Sequence, residues 1–194
     1  SDLEAKLEDA INFLAPKFGI SGYENLPNQE ISIAPLPPGH ITKTHYDSKN
    51  SKFIFTFDSN NFMESHRGYD ERIIDFALEL FVGEEAAHSL HIHSNPEVYR
   101  PFIEFRDGVI FVSEAISHYA GLIFANRNRV DDNVMVDNPQ ALDSLGDKLH
   151  ARAYKAANKL FREYDDTKFL DLIGIKNAPT VYRKIVELTG IEIN

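Results

Sequence analysis

Two apolar stretches carry acids and imidazoles in their middles, and this constrains the fold more than any other feature of the chain. The first runs through Ile73, Ile74, Phe76, Ala77, Leu80 and Phe81 into Gly83-Glu84-Glu85-Ala86-Ala87-His88-Ser89-Leu90-His91. The second is Ser113-Glu114-Ala115-Ile116-Ser117-His118, continued by Tyr119, Leu122, Ile123 and Phe124. Apolar residues three and four apart predict helices, and a helix apolar on most sides belongs in the interior of a domain. Charged groups in such a place need partners, because an unpaired buried charge is costly. The two helices must therefore satisfy each other or a bound ion.

Residues four apart on a helix share a face. Glu84 and His88 are so placed, with Glu85 one step round the cylinder and His91 a turn further along; Glu114 and His118 repeat the spacing. Two ligands at i and i+4 with a carboxylate beside them is what a catalytic metal site asks of one helix, the extra acid serving to activate a bound water. Gly83 weakens its helix by about 1 kcal/mol relative to alanine, so its expected use is a close backbone approach.

These residues resemble the gluzincin zinc metallopeptidases. There, H-E-x-x-H on one helix gives two histidine ligands and a glutamate base, and a later helix gives a glutamate as third ligand. In the thermolysin branch the later helix reads N-E-A-x-S-D, against Ser113-Glu114-Ala115-Ile116-Ser117-His118 here. Glu84 stands at the first histidine, His118 at the closing aspartate and Ser113 at the opening asparagine. The departures at Glu84 and His118 are complementary, as if a histidine–aspartate pair had exchanged its ends. The resemblance implies metal ligands Glu84, His88 and Glu114, Glu85 as general base, and His118, with His91 beside it, as outer partners of the ligands. It also implies a tyrosine or histidine from the C-terminal half to stabilise the oxyanion, for which Tyr154 is preferred and His150, four residues earlier, is the other choice. A set of His88, His91 and His118 with Glu114 is a second possibility, while His93 reads as a solvated helix end favoured by the dipole. Two carboxylates and one imidazole make a harder site than two histidines and a glutamate. Zinc remains the expected ion, with manganese, iron or calcium, or no ion, as alternatives.

Composition narrows the partners. Twenty basic against thirty acidic side chains leave a formal charge of −10, which argues against a nucleic-acid backbone or an anionic membrane. No apolar run approaches the length of a membrane span, and no basic-then-apolar leader opens the chain. With no cysteine there are neither disulfides nor thiolate ligands. The expected location is the cytoplasm, a leader already removed being the alternative left open.

Along the chain, Leu3, Leu7, Ile11 and Leu14 form a helical stripe. Residues 19–39, rich in proline and glycine, read as a wrapped loop. Ile41–Tyr46 and Phe53–Phe57 read as a hairpin with Phe53, Phe55 and Phe57 facing a core; it either presents an edge to an extended substrate or merely covers the helices. Asp70 can cap the helix from Glu71 to His91. Asp107-Gly108 between apolar runs suggests a second short hairpin over Phe102–Val112. After a polar break at Asn126–Asn138, Gln140–Tyr164 is a long amphipathic helix carrying Leu142, Leu145, Leu149, Ala153, Ala156, Leu160 and Phe161, followed by short helices at Phe169–Ile173 and Ala178–Leu188.

The expected fold is α+β, mainly α: a zincin-like N-terminal lobe (1–125) with a small antiparallel sheet and the site helix, and a helical C-terminal lobe (126–194). Two functions fit. One is a metal-dependent, peptidase-like hydrolase with a degenerate ligand set. The other is a catalytically inactive relative in which Glu84–His118 and His88–Glu114 ion pairs replace the metal and the cleft binds a peptide or protein partner.

Overall fold

The computed structural model of the chain describes residues 2–22, 25–128 and 148–194. Helix α1 spans Asp2–Leu14; strands β1, β2 and β3 span Gln29–Ile33, Thr42–Asp47 and Lys52–Phe57. Then come α2 (Ser59–Ser65), α3 (Glu71–Ser94), a 3-10 segment at Pro96–Phe102, α4 (Arg106–Ala125), α5 (Lys148–Tyr164), α6 (Phe169–Ile173) and α7 (Ala178–Thr189). The architecture is α+β and mainly α.

Helices α3 and α4 form the most extensive pairing, with α1 on α3 and α5 on α4. The stripe Leu3, Leu7, Ala10 and Leu14 is buried, as its spacing demands. Asp70 caps α3, its Oδ1 accepting from Arg72 N at 2.9 Å and Ile73 N at 3.1 Å. The α3–α4 crossing is close because each helix offers a glycine. A Cβ on Gly83 would lie 3.1 Å from Gly121 Cα, and one on Gly121 would lie 2.8 Å from Leu80 O. Polar groups of α3 and α4 can meet directly across such a crossing.

Helix α4 corrects the expectation about membrane spans. Among the described residues it is long and apolar enough to cross a bilayer, yet 83% of the qualifying stretch is buried inside the protein. Val109, Phe111, Val112, Ile116, Tyr119, Leu122 and Phe124 are all closed off from solvent, so its apolarity is spent on the core.

The sheet has order β1-β3-β2 and is mixed rather than antiparallel. The hairpin β2–β3 is antiparallel, with Thr44 opposite Phe55 and Thr42 opposite Phe57, but β1 runs parallel to β3 with Ile31 opposite Phe55. Strand β1 lies inside the stretch expected to be a loop. Prolines at 27 and 35 leave room for a five-residue strand between them, and its partner is remote in sequence, so no turn announces it. Phe53, Phe55 and Phe57 are buried as their alternation requires.

The expected hairpin at Phe102–Val112 is absent: Asp107 and Gly108 belong to the first turn of α4. The Phe105 ring lies over Gly108, where a Cβ would come within 2.0 Å of it. Gly108 is thus used for closeness to an aromatic ring instead of for a turn. Of the long amphipathic helix, Ala153, Ala156, Leu160 and Phe161 are buried and Leu149 is half-buried. Residues 140–147, with Leu142 and Leu145, and most of the polar break lie outside the described residues.

Candidate functional site

Four acids and imidazoles meet where α3 crosses α4. Glu84, four residues before His88, faces α4, and Glu114 and His118 look back from it. One ligand-capable atom each from Glu84, His88 and Glu114 lies within 4.8 Å of the other two. Zinc in tetrahedral geometry separates its oxygen and nitrogen ligands by about 3.3 Å, so modest side-chain rotations close the set. The donors fit a divalent cation of intermediate to hard character, with two anionic oxygens and one imidazole.

Each donor is oriented by further contacts. His118 Nδ1 donates to Glu84 Oε2 at 3.0 Å, and the Tyr154 hydroxyl of α5 donates to Glu84 Oε1 at 2.5 Å. The other His118 nitrogen lies 3.2 Å from the Asn158 side-chain amide, and the Tyr154 ring stacks on the His118 ring at 4.1 Å and 12°. His88 Nε2 lies 3.5 Å from Glu114 Oε2, and His150 Nε2 lies 3.3 Å from Glu114 Oε1. His88 Nδ1 donates to Ser117 Oγ at 3.0 Å and Ser113 Oγ at 3.2 Å. The Glu84–His118 pair is therefore formed, and both Tyr154 and His150 reach the cluster.

Glu85 points from α3 toward the sheet. Its Oε1 accepts from Thr42 Oγ1 at 2.8 Å and its Oε2 accepts from Thr44 Oγ1, both on edge strand β2. Ser89, four residues on, accepts from the Gln29 amide of β1, so one face of α3 is bound to the sheet while another faces α4.

Charge follows the contacts. Burial disfavours a charged His88, but Glu114 beside it, with Glu85 and Glu84 adding, pushes its pKa up to about 10. Burial works against ionised Glu114 too, yet His88 and His150 hold it well below the usual carboxylate range. Burial raises Glu85, opposed by His88 and the two threonine hydroxyls. Burial and the neighbouring acids, Glu84 foremost, raise Tyr154 so far that it stays a neutral phenol.

His91 stands apart. Fully buried, its Nδ1 meets the Tyr99 hydroxyl at 2.7 Å, its Nε2 has no hydrogen-bond partner among the described residues, and burial lowers its pKa to about 3. The second ligand set, which needs His91, is not assembled, because the next turn of α3 aims that ring at Tyr99 and Phe18. His93 is exposed at the helix end.

Sequence reasoning missed Thr42, Thr44, Ser117 and Asn158. Asn158 had a signal, since it continues the four-residue interval from His150 through Tyr154 on a helix whose other inward positions are alanine, leucine and phenylalanine. The threonines had only strand alternation to mark them.

No family profile, curated protein or solved structure matches the chain. Its chemistry is therefore read from the cluster itself.

Proposed function

We propose that this chain is a metal-dependent, peptidase-like hydrolase of gluzincin type with a degenerate ligand set, Glu84, His88 and Glu114. The reading is carried by one observation, the convergence of those three side chains within 4.8 Å at a crossing of two buried helices, with Tyr154 and His150 on the same carboxylates. Glu84, His88 and Glu114 would hold a divalent cation, zinc first, which would supply Lewis acidity toward a carbonyl and a water.

The chain's own groups do the rest. Glu85, next to Glu84 in sequence and with its proton affinity raised by burial, would serve as general base from the sheet side of α3, where the Thr42 and Thr44 hydroxyls hold its carboxylate. His150, half-exposed beside Glu114, would steady a developing oxyanion. Edge strand β2 adjoins the base, and its outer edge, paired with no strand among the described residues, suits an extended peptide.

A specific observation favours a second reading. Every oxygen of Glu84 and Glu114 already has a partner in His118, Tyr154, His88 or His150, so ion pairs alone can satisfy the cluster. On that reading the domain binds a peptide or protein without cleaving it. Metal content of protein purified from zinc-replete medium separates the two: stoichiometric metal supports the first, and none sinks it. Peptide hydrolysis by the metal-loaded protein should then fall at least 100-fold in Glu85→Gln; unchanged hydrolysis removes Glu85 from the mechanism.

A further inference from the structure

Helix α5 carries His150, Tyr154 and Asn158 at successive four-residue intervals, and each meets a different member of the buried cluster. His150 reaches Glu114, Tyr154 reaches Glu84, and Asn158 reaches His118. Residues at this interval form one stripe, so a single helix face reads the whole site.

The geometry points to Tyr154 as a positioning residue for the ligand Glu84, a role distinct from oxyanion stabilisation, and to the α5 stripe as the outer layer that holds the ligand set in register. This rests on the metal-centre reading above.

Glu84 is 3% exposed, so water cannot orient its carboxylate. His118 fixes one oxygen and the Tyr154 hydroxyl the other. With both oxygens held, the carboxylate is limited to the small rotations that closing the ligand set requires. Outer partners of this kind are what make a set of ligands a site.

The phenol is also not at liberty to turn toward a substrate. Its ring lies flat on His118, and its hydroxyl makes a 2.5 Å bond to the carboxylate. Swinging it to a substrate carbonyl would break the stack and strip a buried anion of a donor. The burial and neighbouring acids that keep it protonated agree with a permanent donor to Glu84.

Tyr154→Phe isolates the claim, because phenylalanine keeps the ring on His118 and removes only the hydroxyl. Metal-free wild type and variant are titrated with zinc and with manganese by calorimetry, and their metal-free melting is compared. The variant should bind one equivalent 10- to 100-fold more weakly, the usual effect of losing an outer partner. In wild type, metal should slow amide exchange across 148–164, and in the variant it should do so less at equal occupancy. If Tyr154→Phe binds as tightly as wild type, or tighter, the positioning role is overturned, and a phenol acting only on substrate would give that result. If wild type binds neither ion, the metal centre fails, and this inference with it. Should Tyr154→Phe not fold, His150→Gln on the half-exposed rim makes the same test at Glu114: weakened binding supports the outer layer and unchanged binding overturns it.

Discussion

Replacing Gly121 by alanine probes the contact on which the site depends. A methyl group there would lie 2.8 Å from Leu80 O, 3.1 Å from Glu84 N and 3.1 Å from Leu80 Cδ1. Carbon prefers neighbours at about 3.5 Å or more, so α3 and α4 must separate by roughly half an ångström. The nearest atom is backbone carbonyl and cannot rotate away. Overpacking of this kind costs about 1–3 kcal/mol, against which alanine returns about 1 kcal/mol of helix propensity. The expected result is a net loss of up to about 2 kcal/mol in urea unfolding, or a melting point up to about 8 °C lower for a domain of this size. Separation also lengthens the His118–Glu84 bond, now 3.0 Å, so metal affinity should fall with stability. Gly83→Ala meets Phe124 Cδ1 at 3.0 Å, a side chain that can yield, and Gly121 Cα at 3.1 Å. It should cost less, and the double variant less than the sum, because the first methyl has already parted the helices. A Gly121→Ala protein that is more stable than wild type, as an alanine on an open helix face would be, refutes the close crossing.

Two predictions concern protons. Since His88 holds its proton up to about pH 10, a cation must displace it, and zinc affinity should rise about tenfold per pH unit from 7 toward 10. Calorimetry in buffers of different ionisation enthalpy should show about one proton released per zinc at pH 7, and no buffer dependence would contradict the assignment. The same raised value means that the His88–Glu114 pair stabilises the metal-free fold fully below pH 6.5 and ceases to as pH climbs through 10. His91 has the opposite sign. Its folded value of about 3 lies below that of an unfolded histidine, so the unfolded chain takes up a proton first as pH falls from 6.5. Stability should drop by up to about 1.4 kcal/mol per pH unit in that range, and His91→Phe should flatten this limb of the urea-midpoint profile; an unchanged slope would show that His91 is not held neutral.

How much of this was legible in the sequence depended on whether the deciding contact was local. The i, i+4 spacing of Glu84 with His88 and of Glu114 with His118, set among apolar residues, was enough to place two acid–imidazole pairs on two interior helices, because helix geometry fixes which side chains share a face. Phe53, Phe55 and Phe57 declared their buried face by alternation for the same reason, and Gly83 declared a close approach. Strand β1 was hidden because its partner β3 is remote in the chain, and Gly108 was misread because an Asp-Gly pair between apolar runs suits a hairpin turn as well as the first turn of a helix, here with Phe105 just before α4 covering it.

Tertiary structure alone decided what each group does. It turned Glu85 toward Thr42 and Thr44 of an edge strand, aimed His91 at Tyr99 away from the cluster, and gave the Tyr154 hydroxyl to Glu84 instead of an open cleft. Periodicity specifies the direction in which a side chain leaves its own helix. The identity of the atom waiting there is set by how helices and strands from distant parts of the chain are packed together.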